Sequence, residues 1–133
     1  ILFHQILQVH NMLSAVIPPN TLVNVEINMF WDGLFHAFTW VMTAVGIALL
    51  WRAVRRPRAP LSTRTFVGSL SLGWGIFNLV EGVIDHHILG IHHVVERPGH
   101  LPYDMAFLAV GAGFVAVGAV LVRGDATGRG TGG

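Results

Sequence analysis

The sequence predicts an all-α integral membrane fold, a four-transmembrane-helix bundle whose first helix is N-terminally truncated. Three observations lead there. Of 133 residues, 53% are apolar and only 11% charged, with a mean hydropathy of +0.61. A soluble domain carries about 25% charged residues, so this chain lacks the polar surface that water requires. The apolar residues also gather into four long segments, and a bilayer core of about 30 Å needs about 20 helical residues to cross.

Segment one, Ile1 to Ile17, ends at Pro18-Pro19 and spans only if preceding residues supply a further turn. The chain opens at Ile1 already apolar, without the basic start and small-residue cleavage site of a signal peptide. It therefore reads as a fragment whose first helix lacks its beginning. Segment two runs from about Met29 to Arg52, segment three from about Thr65 to Gly90, and segment four from Pro102 to Val122. Together they define one membrane domain over residues 1–123, and the glycine-rich stretch 124–133 is expected to be a disordered tail. Ser69 and Gly73, Ser71 and Gly75, and Ala109 and Gly113 are small residues four apart. Such pairs predict close helix–helix approach, because hydrophobic burial cannot drive association in lipid.

Arginine sets the orientation. Arg52, Arg55, Arg56, Arg58 and Arg64 lie between segments two and three, and Arg123 and Arg129 follow segment four. The opposite loops hold Arg97 alone. The excess of arginine predicts a cytoplasmic Arg loop and C-terminus in a bacterial inner membrane. Four helices would bring the N-terminus to the same side. A net charge of +1 gives no reason to expect nucleic acid as a partner. The absence of cysteine excludes disulfides, thiolate zinc sites and Cys-ligated clusters.

Eight histidines equal all Lys and Arg together. The stretch "NLVEGVIDHHILGIHH", 78–93, holds two acids and four of them. At about 1.5 Å of rise per residue, every histidine and every intramembrane acid falls in the half of the bundle opposite the arginine loop, or just beyond it. His4 and His10 are on segment one, Asp32 and His36 on segment two. Glu81, Asp85, His86 and His87 close segment three, and Asp104 opens segment four. His92, His93 and His100 follow in the loop between. Asp32, His36 and Trp40 share a helical face, as do Asn78, Glu81 and Asp85. Regular α-helix would set His86 about 140° around from Glu81, at 100° per residue, so the two meet only across a shared cavity.

A charge at mid-bilayer costs about 2.5–3.5 kcal/mol on insertion scales, and no intramembrane Lys or Arg accompanies these acids. A bound cation, protonated carboxyls or His⁺–carboxylate pairs must balance them. Imidazole with carboxylate suits a transition metal ion such as copper, iron or zinc. The expected primary ligands are His4, His36, Glu81 and His86. Asp32, Asp85 and Asp104 are expected as ligands or as the groups that orient them, His92 and His93 at the mouth, and His10 as a further candidate. Taken singly, His10 and His87 also fit histidines bonded to a carbonyl, and His92, His93 and His100 fit either ligands or solvated loop residues. The expected role is metal handling or redox chemistry. A haem or di-iron oxidoreductase and a proton- or ion-translocating protein are the competing classes. A proton path would need to continue through the other half of the bundle, where the sequence offers little beyond Ser and Thr.

"LFHQILQVHNMLS", "DGLFHAFTW", "GWGIFNLVEGVIDHHILGIHHVVE" and "YDMAFL" resemble a family of small bacterial predicted membrane proteins classed as a domain of unknown function. The resemblance covers Ile1 to about Val122, and it implies an Asp-Gly pair ahead of the position of Ile1. It implies the architecture and the motif residues without a reaction. The family is similar in flavour to membrane proteins of copper and terminal-oxidase assembly, which makes a respiratory assembly partner or a homo-oligomer the expected company in the lipid bilayer.

Overall fold

The computed structural model describes residues 6–7, 10–56, 62–96 and 98–130, with the side chains of 126–130 excepted. Three helices within it are long and apolar enough to cross a membrane. Helix α1, Leu22–Val54, starts where Thr21 Oγ1 accepts the Asn24 amide at 3.2 Å. Its 33 residues extend about 50 Å at 1.5 Å each, more than the hydrocarbon needs. Helix α2, Thr63–Glu81, begins with the Ser62 hydroxyl accepting the Thr65 amide. It continues without a break into a π-helical segment, Gly82–Ile88. Helix α3 spans Leu101–Gly130. It thus runs on as helix through most of the glycine-rich stretch expected as an irregular tail. The Thr65 hydroxyl, donating to Asp125 Oδ2 at 2.5 Å, ties α3 to α2 there.

A fourth helix over segment one is not found among the described residues. Ile1–Gln5, Gln8 and Val9 lie outside them, and His10 to Ile17 form turns. The reason is chemical. Asn11 and Ser14 bond one another's backbone and side chains, with the Asn11 amide on Ser14 Oγ and the Ser14 hydroxyl on the Asn11 carbonyl. Such local bonds compete with helix, and Pro18-Pro19 stop any continuation. Helix α1 supplies the partners that helix would have provided. The amides of Met12 and Leu13 donate to Asp32 Oδ1 and Asn28 Oδ1 at 2.8 and 3.0 Å, and Asn28 Nδ2 returns a bond to the Ile17 carbonyl.

Helices α2 and α3 pack together along their length, through a seam of glycine backbone. A Cβ at Gly75 would sit 2.6 Å from the Gly111 carbonyl, and one at Gly118 2.6 Å from the Gly68 carbonyl. Gly68 and Gly75 on α2 and Gly82 at the start of the π-helical segment recur every seven residues, and Gly111 and Gly118 do so on α3. Of the expected small-residue pairs, Gly75 belongs to this seam, and Ser71 crosses to donate to the Phe114 carbonyl. Gly73 and Gly113 face open space instead. Helix α1 meets α2 where the Phe35 and Phe77 rings lie 6.1 Å apart.

Burial is inverted relative to a soluble protein. No described hydrophobic side chain is buried, whereas His10, Ser14, Asn28, Asp32, Asn78, His86, His92 and Asp104 are. Hydrocarbon solvates the apolar surface, so the groups that must leave it are the polar ones.

Two outcomes follow for stability. Gly118→Ala should lower the midpoint of thermal unfolding in detergent, because overpacking costs about 1–3 kcal/mol and exceeds the helix-propensity gain. Gly113→Ala should leave that midpoint unchanged or raise it slightly. Asn28→Ala should accelerate hydrogen exchange at the Leu13 amide, since an orphaned buried group costs about 1–3 kcal/mol. Unaltered exchange there would contradict the bonding pattern described.

Candidate metal centre

The histidine end is where three pieces of chain knot together. Residues 10–17, the end of α2 with the loop 89–100, and the start of α3 meet there. The Ala15 amide donates to the Ile91 carbonyl at 3.1 Å, and Glu96 Oε1 accepts the His93 amide and lies 2.9 Å from Ser14 Oγ. Gly90, at φ 57°, takes the left-handed turn that ends α2 and sends the chain back toward α3.

The π-helical segment decides which side chains face inward. Its hydrogen bonds run from residue i+5 to i, as in the Leu89 amide donating to the Ile84 carbonyl at 2.8 Å. Residues five apart therefore approach one face, and His86 comes round toward Glu81. The 140° separation expected of regular helix does not apply here. His87, by contrast, turns back and bonds through Nδ1 to the Gly82 carbonyl at 2.9 Å.

Two trios of ligand-type side chains result. Glu81, His86 and His92 each place one ligand atom within 4.8 Å of the others, and so do His93, His100 and Asp104. In the first trio His92 Nε2 stands 3.6 Å from Glu81 Oε1, and the His86 and His92 rings meet edge-on at 4.9 Å. In the second, Asp104 Oδ2 accepts Nδ1–H of both His93 and His100 at 2.9 Å. Asp104 Oδ1 takes the Val94 amide at 2.9 Å. His86 Nδ1, 3.3 Å from that same oxygen, joins the trios.

The histidine rings are oriented by oxygens. Nδ1 of His10 bonds the Val94 carbonyl and Nδ1 of His92 the Met12 carbonyl, both at 3.1 Å. The two rings stack 5.0 Å apart. A ring held through Nδ1–H presents Nε2 as its lone pair, the usual way a protein aims a metal-binding histidine. His86 differs: its Nδ1 is buried and makes no hydrogen bond among the described residues. Burial alone pushes the His92 pKa down. The adjoining Glu81 carboxylate, the Met12 carbonyl and the charge of Asp85 outweigh it, so the net direction is up. Its surroundings thus favour the protonated form of His92.

The sequence-derived candidates distribute as follows. Glu81 and His86 share a trio, with His92 as third member and almost wholly buried, not at a mouth. His93 and Asp104 belong to the second trio. Asp85 is in neither and lends its carbonyl to the Ile91 amide. Asp32 is buried and holds Asn11 and Met12. His36 is half-buried against Phe35 and likewise in neither trio. His10 bonds a carbonyl, one of the two roles expected of it. His4 lies outside the described residues. His100, which fits either a ligand or a solvated loop residue in the sequence, joins the second trio. Its spacing of four from Asp104 across the start of α3 was the available signal. Glu96, which latches two loops, offered none.

No curated protein and no solved structure matches the chain. A family model described as "Predicted membrane protein (DUF2243)" matches residues 1–125. The three apolar helices and the buried His/acid cluster are thus those of a member of that family of predicted membrane proteins, to which this chain belongs.

Proposed function

We propose that the protein binds a transition metal ion through Glu81, His86 and His92 and serves metal handling or redox chemistry at the membrane. The observation that carries this reading is the buried trio itself. Three ligand atoms lie within 4.8 Å of one another, and two of the three residues, His86 and His92, are buried. Ligands at about 2.0–2.2 Å from a tetrahedral ion lie about 3.4 Å apart, close to the 3.6 Å between His92 Nε2 and Glu81 Oε1. The basic partners of Glu81 and Asp104 among the described residues are histidines. Imidazole and carboxylate favour iron, copper or zinc over magnesium or calcium.

The arginine distribution supports a cytoplasmic arginine end and C-terminus in a bacterial inner membrane. The metal centre then faces the extracytoplasmic side. The N-terminus joins the C-terminus if the residues before His10 cross the membrane.

Detergent-purified protein should carry stoichiometric iron, copper or zinc by elemental analysis. Glu81→Ala and His92→Ala should each lose most of it while eluting as the wild type does. A metal-free wild type that also fails to take up added Zn²⁺, Cu²⁺ or Fe²⁺ would sink the proposal. An intense Soret band in the visible spectrum would replace it with haem.

A further inference from the structure

The second trio reaches the surface through one member, His100. In the buried trio the side chains of Glu81, His86 and His92 are 16%, 2% and 1% exposed. In the other, Asp104 is 1% exposed, His93 17% and His100 39%. His100 is thus the most exposed of the six, while Asp104 is as buried as His92 and His93 about as exposed as Glu81. His86 bridges the two, its ring 4.9 Å from that of His92 and 6.3 Å from that of His93.

The geometry points to a second transition-metal site at His93, His100 and Asp104, on the solvent side of the buried one and supplying it with ions. This inference rests on the metal-binding reading of the buried trio. Both imidazoles direct Nδ1 at one carboxylate oxygen from 2.9 Å, and their rings stack 3.6 Å apart. Ligands about 2.1 Å from a tetrahedral ion are about 3.4 Å apart, so each imidazole need move only about 0.5 Å from its hydrogen-bonded position to become a neighbouring ligand. An ion entering here takes the Nδ1 lone pair of each ring and one carboxylate oxygen. Each neutral ring then carries its proton on Nε2 instead of Nδ1, a tautomer change that releases no net proton. Water reaching the exposed His100 can carry out the exchange.

Transfer inward needs only short steps. Asp104 offers its second oxygen toward His86, and Nδ1 of His86 lies 3.3 Å from it. The Val94 amide holds that carboxylate in place from the loop. A divalent ion leaving the outer trio thus finds its next imidazole without crossing hydrocarbon.

The test is a count of ions per chain. Detergent-purified protein is stripped with a chelator, reloaded with Zn²⁺, dialysed and analysed for zinc, with size-exclusion elution and helical circular dichroism as controls for folding. Wild type should hold two Zn²⁺ per chain. His100→Ala, and the milder His100→Gln, should hold one, as should Glu81→Ala/His92→Ala. In a stopped-flow measurement with a zinc-sensitive dye, His100→Gln should also fill the remaining site at least tenfold more slowly. One ion in wild type that His100→Ala leaves in place overturns the second site and spares the buried one. One ion that His100→Ala removes and Glu81→Ala/His92→Ala retains overturns the buried site and spares this one. Two ions in every variant, or none in wild type, overturn the inference.

Discussion

The carboxylate of Asp104 is the constraint around which the histidine end is arranged. It is almost fully buried at the start of a membrane-spanning helix, and its partners among the described residues are a loop amide and three histidines. An acid in that position is tolerated only with its oxygens satisfied and its charge balanced. Two of those histidines and the amide come from the loop that precedes α3, and the third comes from the end of α2. Meeting the demands of one side chain therefore fixes the loop, the end of α2 and the start of α3 together.

Asp32 plays the corresponding part on α1. It draws the turns of residues 10–17 onto the helix, and those turns lend the Met12 carbonyl to His92. The route from Asp32 to the trio of Glu81, His86 and His92 is thus two hydrogen bonds long. The apolar remainder contributes differently: glycine backbones bring α2 and α3 into contact, and side chains turn outward to lipid. Packing holds the helices side by side, while polar satisfaction at one end decides where their functional groups stand.

Much of this was legible in the residues. Hydropathy and length identify the three spans, because a bilayer imposes a length and a polarity that few other contexts impose, and they overreach at segment one, where the expected fourth helix is not found among the described residues. Glu81, His86, His93 and Asp104 could be gathered at one end from depth alone, since rise per residue is nearly constant along a helix. Rotation about the helix axis was less legible. It depends on the residues per turn, and seven residues of π-helix after Glu81 invalidate the regular count. His92 illustrates the same limit for loops, whose residues have no period from which burial could be read.

The sequence by itself determined that this is a helical membrane protein of its family, with acids and histidines concentrated at the end away from the arginines. Composition, span length and arginine placement suffice for the membrane helices and their polarity, because they report transfer between water and hydrocarbon, which acts residue by residue, while the family rests on the motifs around the histidines. The tertiary structure alone decided that residues 10–17 fold as turns, that His92 lies inside, and that the cluster divides into two trios sharing His86 and Asp104. Those outcomes depend on hydrogen bonds between segments about 20 to 80 residues apart, such as Met12 to Asp32 and to His92. No local pattern encodes such pairings. They arise only when each buried polar group finds its partner across the fold.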